Sequence, residues 1–271
     1  MLVADTITEF SELARSKSGQ LRRNPLGFCI SSMFAGAYVG VGIILIFSVG
    51  QPIDTSLRPL VMGASFGIAL TLVVFAGAEL FTGYTMYMSM GLLRRRVGLT
   101  ELTETWITTW LCNLAGSAIV AALFVAGGGG QILKPGATLI FDIAAYKMNS
   151  EPMALLARAF LCNWLVCLAV WTAARTTSDS AKCILIFWCL FAFIASGFEH
   201  SVANMTLFTV ALLADHPDAV TWSGMGHNLF WVTLGNTVSG ALIMGWGYVQ
   251  VASAERKDPL GDTKSTLTPL P

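Results

Sequence analysis

The sequence predicts an all-α membrane protein in which six transmembrane helices form an inverted repeat of three helices and three. The composition indicates a membrane protein, because 55% of the 271 residues are hydrophobic and only 12% are charged. A soluble domain carries about a quarter charged residues. Six apolar segments are each long enough to cross a bilayer, which takes about 20 residues. Two of these segments carry similar polar interruptions, and that similarity predicts the repeat.

The chain begins with an amphipathic helix, which we predict over residues 1–20. Val3, Ile7, Phe10 and Ala14 recur at helical spacing, and charged residues occupy the rest of the helical wheel. Such a helix is expected to lie along the membrane surface or to cover a subunit edge. An ordinary solvated terminal helix is the alternative.

The transmembrane domain is predicted over residues 21–252, and the polar segment 253–271 is expected to be a disordered cytoplasmic tail. The first span is rich in small residues, which allow helix backbones to approach closely. The second and fifth spans are too long for one straight helix, and polar residues interrupt both. A glycine-rich stretch at 127–130 opens a long connection that reaches Pro152. The predicted spans cover residues 26–50, 60–92, 105–125, 154–174, 183–213 and 220–251.

The distribution of lysine and arginine predicts the orientation. If the N-terminus is inside the cell, twelve of the 16 basic residues fall in inside segments. Three fall outside, namely Arg58, Lys134 and Lys147, and Arg158 lies near the start of the fourth span. Both termini are therefore expected to be cytoplasmic.

The repeat rests on two pairs of similar stretches. Glu79 and Glu199 lie 120 residues apart in similar surroundings, and Asn113 and Asn236 lie 123 residues apart in the third and sixth spans. Three spans per copy is an odd number, so the second copy enters the membrane from the opposite side. Irregular backbone at membrane depth must be buried in protein or line a cavity, so the two interruptions are expected to meet. Chance similarity between apolar sequences is the alternative.

His200 is the most informative ionisable residue, because it lies inside the fifth predicted span next to Glu199. Ionisable groups at membrane depth are costly, and they usually face a cavity and mark a pathway. A hydrogen-bonded core histidine is the alternative. For Glu79 and Glu199 we expect a structural role, in which each carboxylate accepts hydrogen bonds from N–H groups freed at an interrupted helix.

The sequence gives no reason to expect a metal ion or a cofactor. The three histidines share no i, i+4 spacing, and none of the six cysteines forms a CxxC pair. The cysteines fall inside apolar runs and are expected to be small buried hydrophobic residues. The net charge of zero gives no electrostatic reason to expect nucleic-acid binding.

Residues 79–83 and 197–205 resemble the two signatures of the formate/nitrite transporter family, and the similarity extends over residues 24–248. Residues 24–28 and 58–63 are most similar to the nitrite channel branch. The resemblance implies an aquaporin-like fold of six helices with broken second and fifth helices. It also implies a homopentamer with one pore per protomer, embedded in a bacterial inner membrane.

The resemblance also implies roles for individual residues. The central histidine corresponds to His200, the loop threonine to Thr82, the polar pair flanking the histidine to Asn163 and Asn236, and the vestibule lysine to Lys147. The residues alone leave simpler interpretations open: a loop-stabilising hydroxyl, interhelical hydrogen bonds and a loop charge. The apolar constriction corresponds to Phe66, Leu70, Leu80, Phe81, Val166 and Phe193, which without the resemblance are typical of core packing.

The function that these observations predict is a channel for nitrite and related small monovalent anions of weak acids. A bare anion in a narrow apolar passage faces a large desolvation cost. Positive potential from Lys147 and from helix ends is expected to draw the anion in, and His200 is expected to neutralise it or to give it a proton. Formate or another weak acid is an alternative substrate, as is a neutral solute of the aquaporin type.

A membrane enzyme that uses Glu199, His200 and Thr82 is disfavoured by the sequence. It lacks a nucleophile and base at recognisable spacing, and it lacks a cofactor motif. We therefore expect no enzymatic activity.

Overall fold

The computed structural model of the protein describes residues 2–255, and every regular element in that range is helical. The predicted tail 253–271 lies almost entirely outside the described residues. The helices are α1 (Val3–Arg23), α2 (Pro25–Gly50), α3 (Arg58–Ser65), α4 (Gly67–Ala76), α5 (Phe81–Leu93), α6 (Leu99–Ala126), α7 (Leu139–Met148), α8 (Pro152–Ala174), α9 (Asp179–Ala195), α10 (Ser201–Leu213), α11 (Trp222–Val238), a π-helical segment (Ser239–Gly247) and α12 (Tyr248–Glu255).

Five helical segments in the described range are long and apolar enough to cross a membrane. α10, at Ser201–Leu213, is a further apolar helix of shorter length. The predicted spans 60–92 and 183–213 each contain more than one helix, because short non-helical connections separate α4 from α5 and α9 from α10. The five segments are Pro25–Gly50, Arg58–Ala76, Leu99–Ala126, Pro152–Ala174 and Trp222–Ser253.

The N-terminal helix α1 packs on the bundle, so the alternative of an ordinary solvated helix is wrong. Ile7 and Ala14 are fully buried, and α1 contacts α5 and α12. The Phe10 ring lies between Trp171, at a centroid distance of 5.7 Å, and Tyr87, at 6.3 Å. The apolar stripe read from the sequence is therefore a packing face, and the helix runs a full turn further than predicted, to Arg23.

Helices α2 and α6 approach to backbone contact. A Cβ atom placed on Gly36 would clash with the carbonyl oxygen of Asn113, and one placed on Gly116 would clash with the carbonyl oxygen of Met33. Ser117 also donates a hydrogen bond to the Gly36 carbonyl at 3.2 Å. The small residues of the first predicted span therefore permit the close helix packing that was expected of them.

The connection predicted to run from 127 to 152 contains a helix that the sequence analysis missed. α7 spans Leu139–Met148 and packs on α10 and α11 through its buried side chains. Three preceding glycines (Gly128, Gly129 and Gly130) adopt positive φ, which the sequence correctly indicates as loop. The helix itself has only ten residues, too few for a periodic pattern to identify it within a loop.

The cysteines are less uniformly buried than expected. Cys162 and Cys167 are fully buried in α8, whereas the other four are half-buried. All six are free thiols.

Candidate functional site

Two helix junctions form the centre of the molecule. α4 ends at Gly77, whose φ of 72° is left-handed, and α5 begins at Phe81. α9 ends just before Gly197, whose φ is 69°, and α10 begins at Ser201. Left-handed backbone favours glycine, so each glycine ends its helix and turns the chain. The first N–H groups of α5 and α10 are left without partners in their own helices.

Asn113 of α6 supplies hydrogen-bond partners for backbone groups at the junction between α4 and α5. Its Oδ1 accepts the N–H of Phe81 at 2.9 Å. Its Nδ2 donates to the carbonyls of Ser32 at 2.7 Å and Glu79 at 2.9 Å. One buried amide thus joins α2, α6 and both sides of the junction.

Asn236 of α11 does the same at the junction between α9 and α10, where it also accepts one backbone N–H and donates to two carbonyls. Its Oδ1 accepts the N–H of Ser201 at 2.9 Å. Its Nδ2 donates to the carbonyls of Ala159 at 2.8 Å and Glu199 at 3.0 Å. The predicted role of Glu79 and Glu199 as acceptors for the freed N–H groups is therefore wrong, because asparagine oxygens take the first N–H of each following helix.

Glu79 instead pairs with a lysine of the N-terminal helix. The carboxylate is 4% exposed and accepts hydrogen bonds from Lys17 and, at 2.9 Å, from the hydroxyl of Tyr84. In the sequence, Lys17 is one of the charged residues that lie outside the apolar stripe of α1. Its pairing with Glu79 could not be predicted, because the two residues are 62 positions apart and no local pattern connects them.

Glu199 makes the corresponding pair with Lys147 of α7. Its side chain is 1% exposed, and its Oε2 lies 2.8 Å from Lys147 Nζ and 2.7 Å from Asn204 Nδ2. Asn204 also donates to Asn228 Oδ1 at 2.9 Å, and Asn228 donates to the Lys147 carbonyl at 2.9 Å. These contacts form a closed ring of four residues, which is completed by the backbone carbonyl of Lys147. Asn204 lies in the stretch 197–205 that resembles a family signature but was given no role of its own, and Asn228 was not identified from the sequence.

His200 and Thr82 meet across the two junctions, as the sequence predicted for the interruptions. The ring Nε2 of His200 lies 3.1 Å from Thr82 Oγ1, and the ring stacks on Phe193 at 5.9 Å. The other nitrogen, Nδ1, accepts the N–H of Ala203 at 3.1 Å and so caps α10. A nitrogen that accepts a hydrogen bond carries no proton, so the neutral ring has its proton on Nε2 and donates it to Thr82.

Asn163 of α8 hydrogen-bonds to the segments that carry this contact. Its Nδ2 donates to the Asn236 carbonyl at 2.6 Å, to Thr85 Oγ1 at 2.9 Å and to the Thr82 carbonyl at 3.3 Å. Both predicted flanking asparagines therefore bond to the backbone that carries Thr82 and His200. This geometry corresponds to the interhelical interpretation of the pair.

His200 lines two adjoining cavities. The larger has a volume of about 500 Å³ and is also lined by Lys147, Glu199 and Asn204. The smaller has a volume of about 10 Å³, close to the minimum that one water molecule needs. Phe193 also lines both cavities, whereas Phe81 lines neither and is buried elsewhere in the core. The smaller cavity is lined by Val39, Phe66, Ala69, Leu70, Leu80, Val166, Leu190, Phe193 and His200.

The whole arrangement agrees with one family. The family model described as formate/nitrite transporter matches residues 5–250 of this chain. The chain belongs to the formate/nitrite transporter family. Since the family's relatives are transporters and the chain has several helices suited to a bilayer, this formate/nitrite transporter is a multi-pass membrane protein.

Similar proteins extend over nearly the full length of this family member. The nitrite transporter NirC of Escherichia coli K12 is 49% identical over 261 residues, which is 96% of each chain. A solved structure described as an FNT family ion channel has a TM-score of 0.89 and 51% identity, and covers 91% of this chain and 98% of its own. A second, described as a pentameric formate channel with formate bound, has a TM-score of 0.70 and 25% identity, with coverages of 83% and 96%.

Proposed function

We propose that this protein is a membrane channel for nitrite and related small monovalent anions of weak acids, with formate as the nearest alternative substrate. The observation that carries the proposal is a largely apolar cavity of about 500 Å³ that is lined by Lys147 and shares His200 and Phe193 with an apolar cavity of about 10 Å³. The similar NirC proteins, named nitrite transporters, support nitrite as the substrate.

Lys147 attracts the anion by direct contact rather than through a net positive field. The large cavity is lined by Arg58 and Lys147, and also by Asp142 and Glu199, so its formal charges balance. An ammonium has three N–H donors, and only one of those of Lys147 is needed for Glu199. The others are available to a small anion. The earlier expectation of a positive vestibule is revised accordingly.

The desolvation free energy of a substrate that enters the smaller cavity is lowest when the substrate is a neutral acid. Its lining is apolar except for His200, and an unpaired anion there faces a large desolvation cost. Loss of the charge before this point removes that cost, and the proton comes from hydronium ions of the bulk solution through the equilibrium between the anion and its acid.

His200 acts in this mechanism as a neutral hydrogen-bond donor. Its Nε2–H points to Thr82, whose hydroxyl is fully buried and lines neither cavity, so Thr82 orients the imidazole that lines both. A second proton on His200 would have to sit on Nδ1, against the N–H of Ala203, and would remove the cap of α10. Of the two roles predicted for the histidine, the geometry favours selectivity over proton transfer.

We also propose that the chain is an inverted repeat of three and three spans, aquaporin-like, with the second and fifth spans broken. The support is the equivalence of contacts at the two junctions. Asn113 and Asn236 make corresponding bonds, and Lys17–Glu79 corresponds to Lys147–Glu199. A lysine–glutamate pair thus lies near each junction, and the Lys147–Glu199 pair lines the larger cavity.

The orientation and assembly follow from charge and from a structural neighbour. We place both termini in the cytoplasm of a bacterium and the bundle in its inner membrane. The reason is that most basic residues fall in segments on the same side of the membrane as the N-terminus. With this orientation, residues 1–20 form a cytoplasmic amphipathic helix, residues 21–252 form the channel domain, and residues 253–271 form a cytoplasmic tail. The similar pentameric formate channel supports a homopentamer with one pore per protomer.

Reconstituted vesicles test the proposal. The full chain in liposomes is given nitrite, formate or glycerol across a pH series, and uptake is followed by stopped-flow light scattering and by direct anion assay. We expect nitrite and formate uptake above protein-free liposomes, rising as the pH falls because the protonated share grows, and no glycerol uptake. Glycerol or water uptake without anion uptake would instead establish a neutral-solute channel.

A further inference from the structure

A third cavity, separate from the two at His200, lies where the end of α1 meets the turn between α5 and α6. Its volume is about 520 Å³. None of its lining residues lines the two cavities at His200. We call it the arginine cavity, because its charged lining residues are Arg15, Arg22, Arg23, Arg96, Glu12 and Glu101.

The arginine cavity has more positive charge than its own carboxylates neutralise. Arg96 pairs with Glu12 at 2.9 Å, and Arg22 pairs with Glu101 at 3.1 Å. Arg15 and Arg23 form no ion pair with any residue in the described range 2–255, and both are exposed. Two guanidinium groups that line one cavity therefore remain without a counter-charge. Arginine presents a planar set of donors that matches the oxygens of a phosphate group.

The surrounding surface places this cavity at the edge of an apolar belt. Leu26, three residues after Arg23, is 71% exposed at the start of α2, and Leu99, three residues after Arg96, is 65% exposed at the start of α6. Exposed apolar side chains continue along both helices, including Ile30 on α2 and Ile107 and Leu111 on α6. In a membrane these side chains face acyl chains or a neighbouring subunit, so the arginines sit at the level of lipid headgroups.

We propose that the arginine cavity binds the phosphate of an anionic glycerophospholipid, with the acyl chains lying against the leucines that begin α2 and α6. Arg15 and Arg23 hold the phosphate oxygens, while the two paired arginines fix the shape of the cavity. Because the cavity joins α1 to the turn before α6, the bound lipid links the N-terminal helix to the membrane-spanning bundle.

Lipid binding to the purified full chain tests this directly. The protein in neutral detergent is titrated with phosphatidylglycerol or with phosphatidylcholine of the same acyl chains, and retained lipid is counted by native mass spectrometry. We expect preferential binding of phosphatidylglycerol. The R15Q/R23Q double variant is expected to lose about thirtyfold in affinity, since each basic residue near an anionic headgroup contributes about 1 kcal/mol.

K182Q is the matched control, because it removes a basic residue that lies outside the cavity and is paired with Asp179 at 3.0 Å. It is expected to bind phosphatidylglycerol as the wild type does. R15K/R23K keeps both charges without the planar donor set and is expected to bind with intermediate affinity. If R15Q/R23Q fails to fold, this lysine variant still decides the question, because unchanged affinity in it would overturn phosphate recognition by the guanidinium groups.

Two further results would overturn the proposal. Equal affinity of R15Q/R23Q and K182Q for phosphatidylglycerol would show that the cavity plays no part. Displacement of the lipid by inorganic phosphate at equal concentration would show that the acyl chains contribute nothing, and the cavity would then be a site for free phosphate. No part of this test depends on anion transport.

Discussion

Asn113 and Asn236, 123 residues apart, each make three hydrogen bonds of 2.7–3.0 Å to corresponding backbone atoms, two at the junction before a short helix and one on a neighbouring long helix. One holds α5, which begins just before Thr82, and the other holds α10, which begins just after His200. The contact between Thr82 and His200 therefore depends on two amides that do not themselves line the cavities.

Replacing Asn236 with leucine should destabilise the protein strongly. Asn236→Leu keeps the size of the side chain but leaves the Ser201 N–H and two buried carbonyls without partners. A buried polar group without a partner costs about 1–3 kcal/mol, so we expect a loss of at least about 3 kcal/mol. Tryptophan fluorescence during thermal unfolding in detergent measures the change.

Asn149→Leu is the matched control for this substitution. Asn149 is exposed, and its amide donates to the carbonyls of Ala145 and Ala219 near water. We expect a loss below about 1 kcal/mol, because solvent can replace both bonds. Similar losses in the two variants would contradict a structural role for the buried amide.

The sequence was sufficient to predict the residues of the site that occupy matching positions in the two halves of the chain. Glu79 and Glu199 could be matched because each follows a glycine that ends a helix, and Asn113 and Asn236 because each lies in a similar apolar stretch. His200 could be singled out because an imidazole is costly inside an apolar span. The N-terminal helix was predicted from its apolar stripe alone.

The partners of the two carboxylates could not be predicted, because they come from helices far away in the chain. Lys17 looks like a solvated charge on α1, and Lys147 looks like a loop charge until α7 is recognised as a helix. Both pairs are set by tertiary packing. The balance of charge in the large cavity was missed for the same reason, since Arg58 and Asp142 reach it from separate elements.

Removing the hydroxyl of Thr82 should lower nitrite flux while the fold survives. Thr82→Val has nearly the same shape but leaves the Nε2–H of His200 without the acceptor that orients the imidazole at both cavities. We expect about a tenfold loss of flux, which corresponds to one hydrogen bond of about 1.4 kcal/mol. Thr82→Ser should keep most of the flux. Uptake of nitrite by liposomes compares the two variants.

Thr71→Val serves as a control for Thr82→Val, since the Thr71 hydroxyl bonds to the Gly67 carbonyl within α4, whereas the Thr82 hydroxyl contacts His200. Its flux is expected to equal that of the wild type. Equal losses in Thr71→Val and Thr82→Val would mean that the hydroxyl contributes only to helix packing.

Replacing His200 with asparagine should lower flux without changing the shape of its pH profile. An asparagine at this position can still cap α10, because its Oδ1 can accept the Ala203 N–H in place of Nδ1. It cannot titrate. If the substrate takes its proton from water, flux through the variant rises as the pH falls just as in the wild type, though from a lower level.

The measurement is initial nitrite uptake at several pH values for the wild type and His200→Asn, each scaled to its own maximum. Circular dichroism confirms that the variant keeps its helix content. A profile that becomes flat in the variant would show that protonation of the imidazole drives the wild-type profile, and the neutral-donor mechanism would be wrong.

Removing the charge of Lys147 should affect both stability and substrate access. Lys147→Gln leaves the Glu199 carboxylate, 1% exposed, without its cation. Breaking a buried ion pair by removing one partner costs about 3–5 kcal/mol, so the unfolding midpoint should fall clearly. The nitrite concentration for half-maximal uptake should also rise several-fold, because an ammonium that contacts the anion is lost, while Lys147→Arg should retain most of both properties.

Lys134→Gln separates the local effect of Lys147 from a general loss of positive charge. Lys134 is exposed in the same long connection between α6 and α8, and it donates to Gln131 at 2.9 Å without touching the large cavity. Its variant should match the wild type in stability and in half-saturating nitrite concentration. If Lys147→Gln and Lys134→Gln behave alike in uptake, nitrite does not contact Lys147, and the large cavity must be excluded as the access route for the anion.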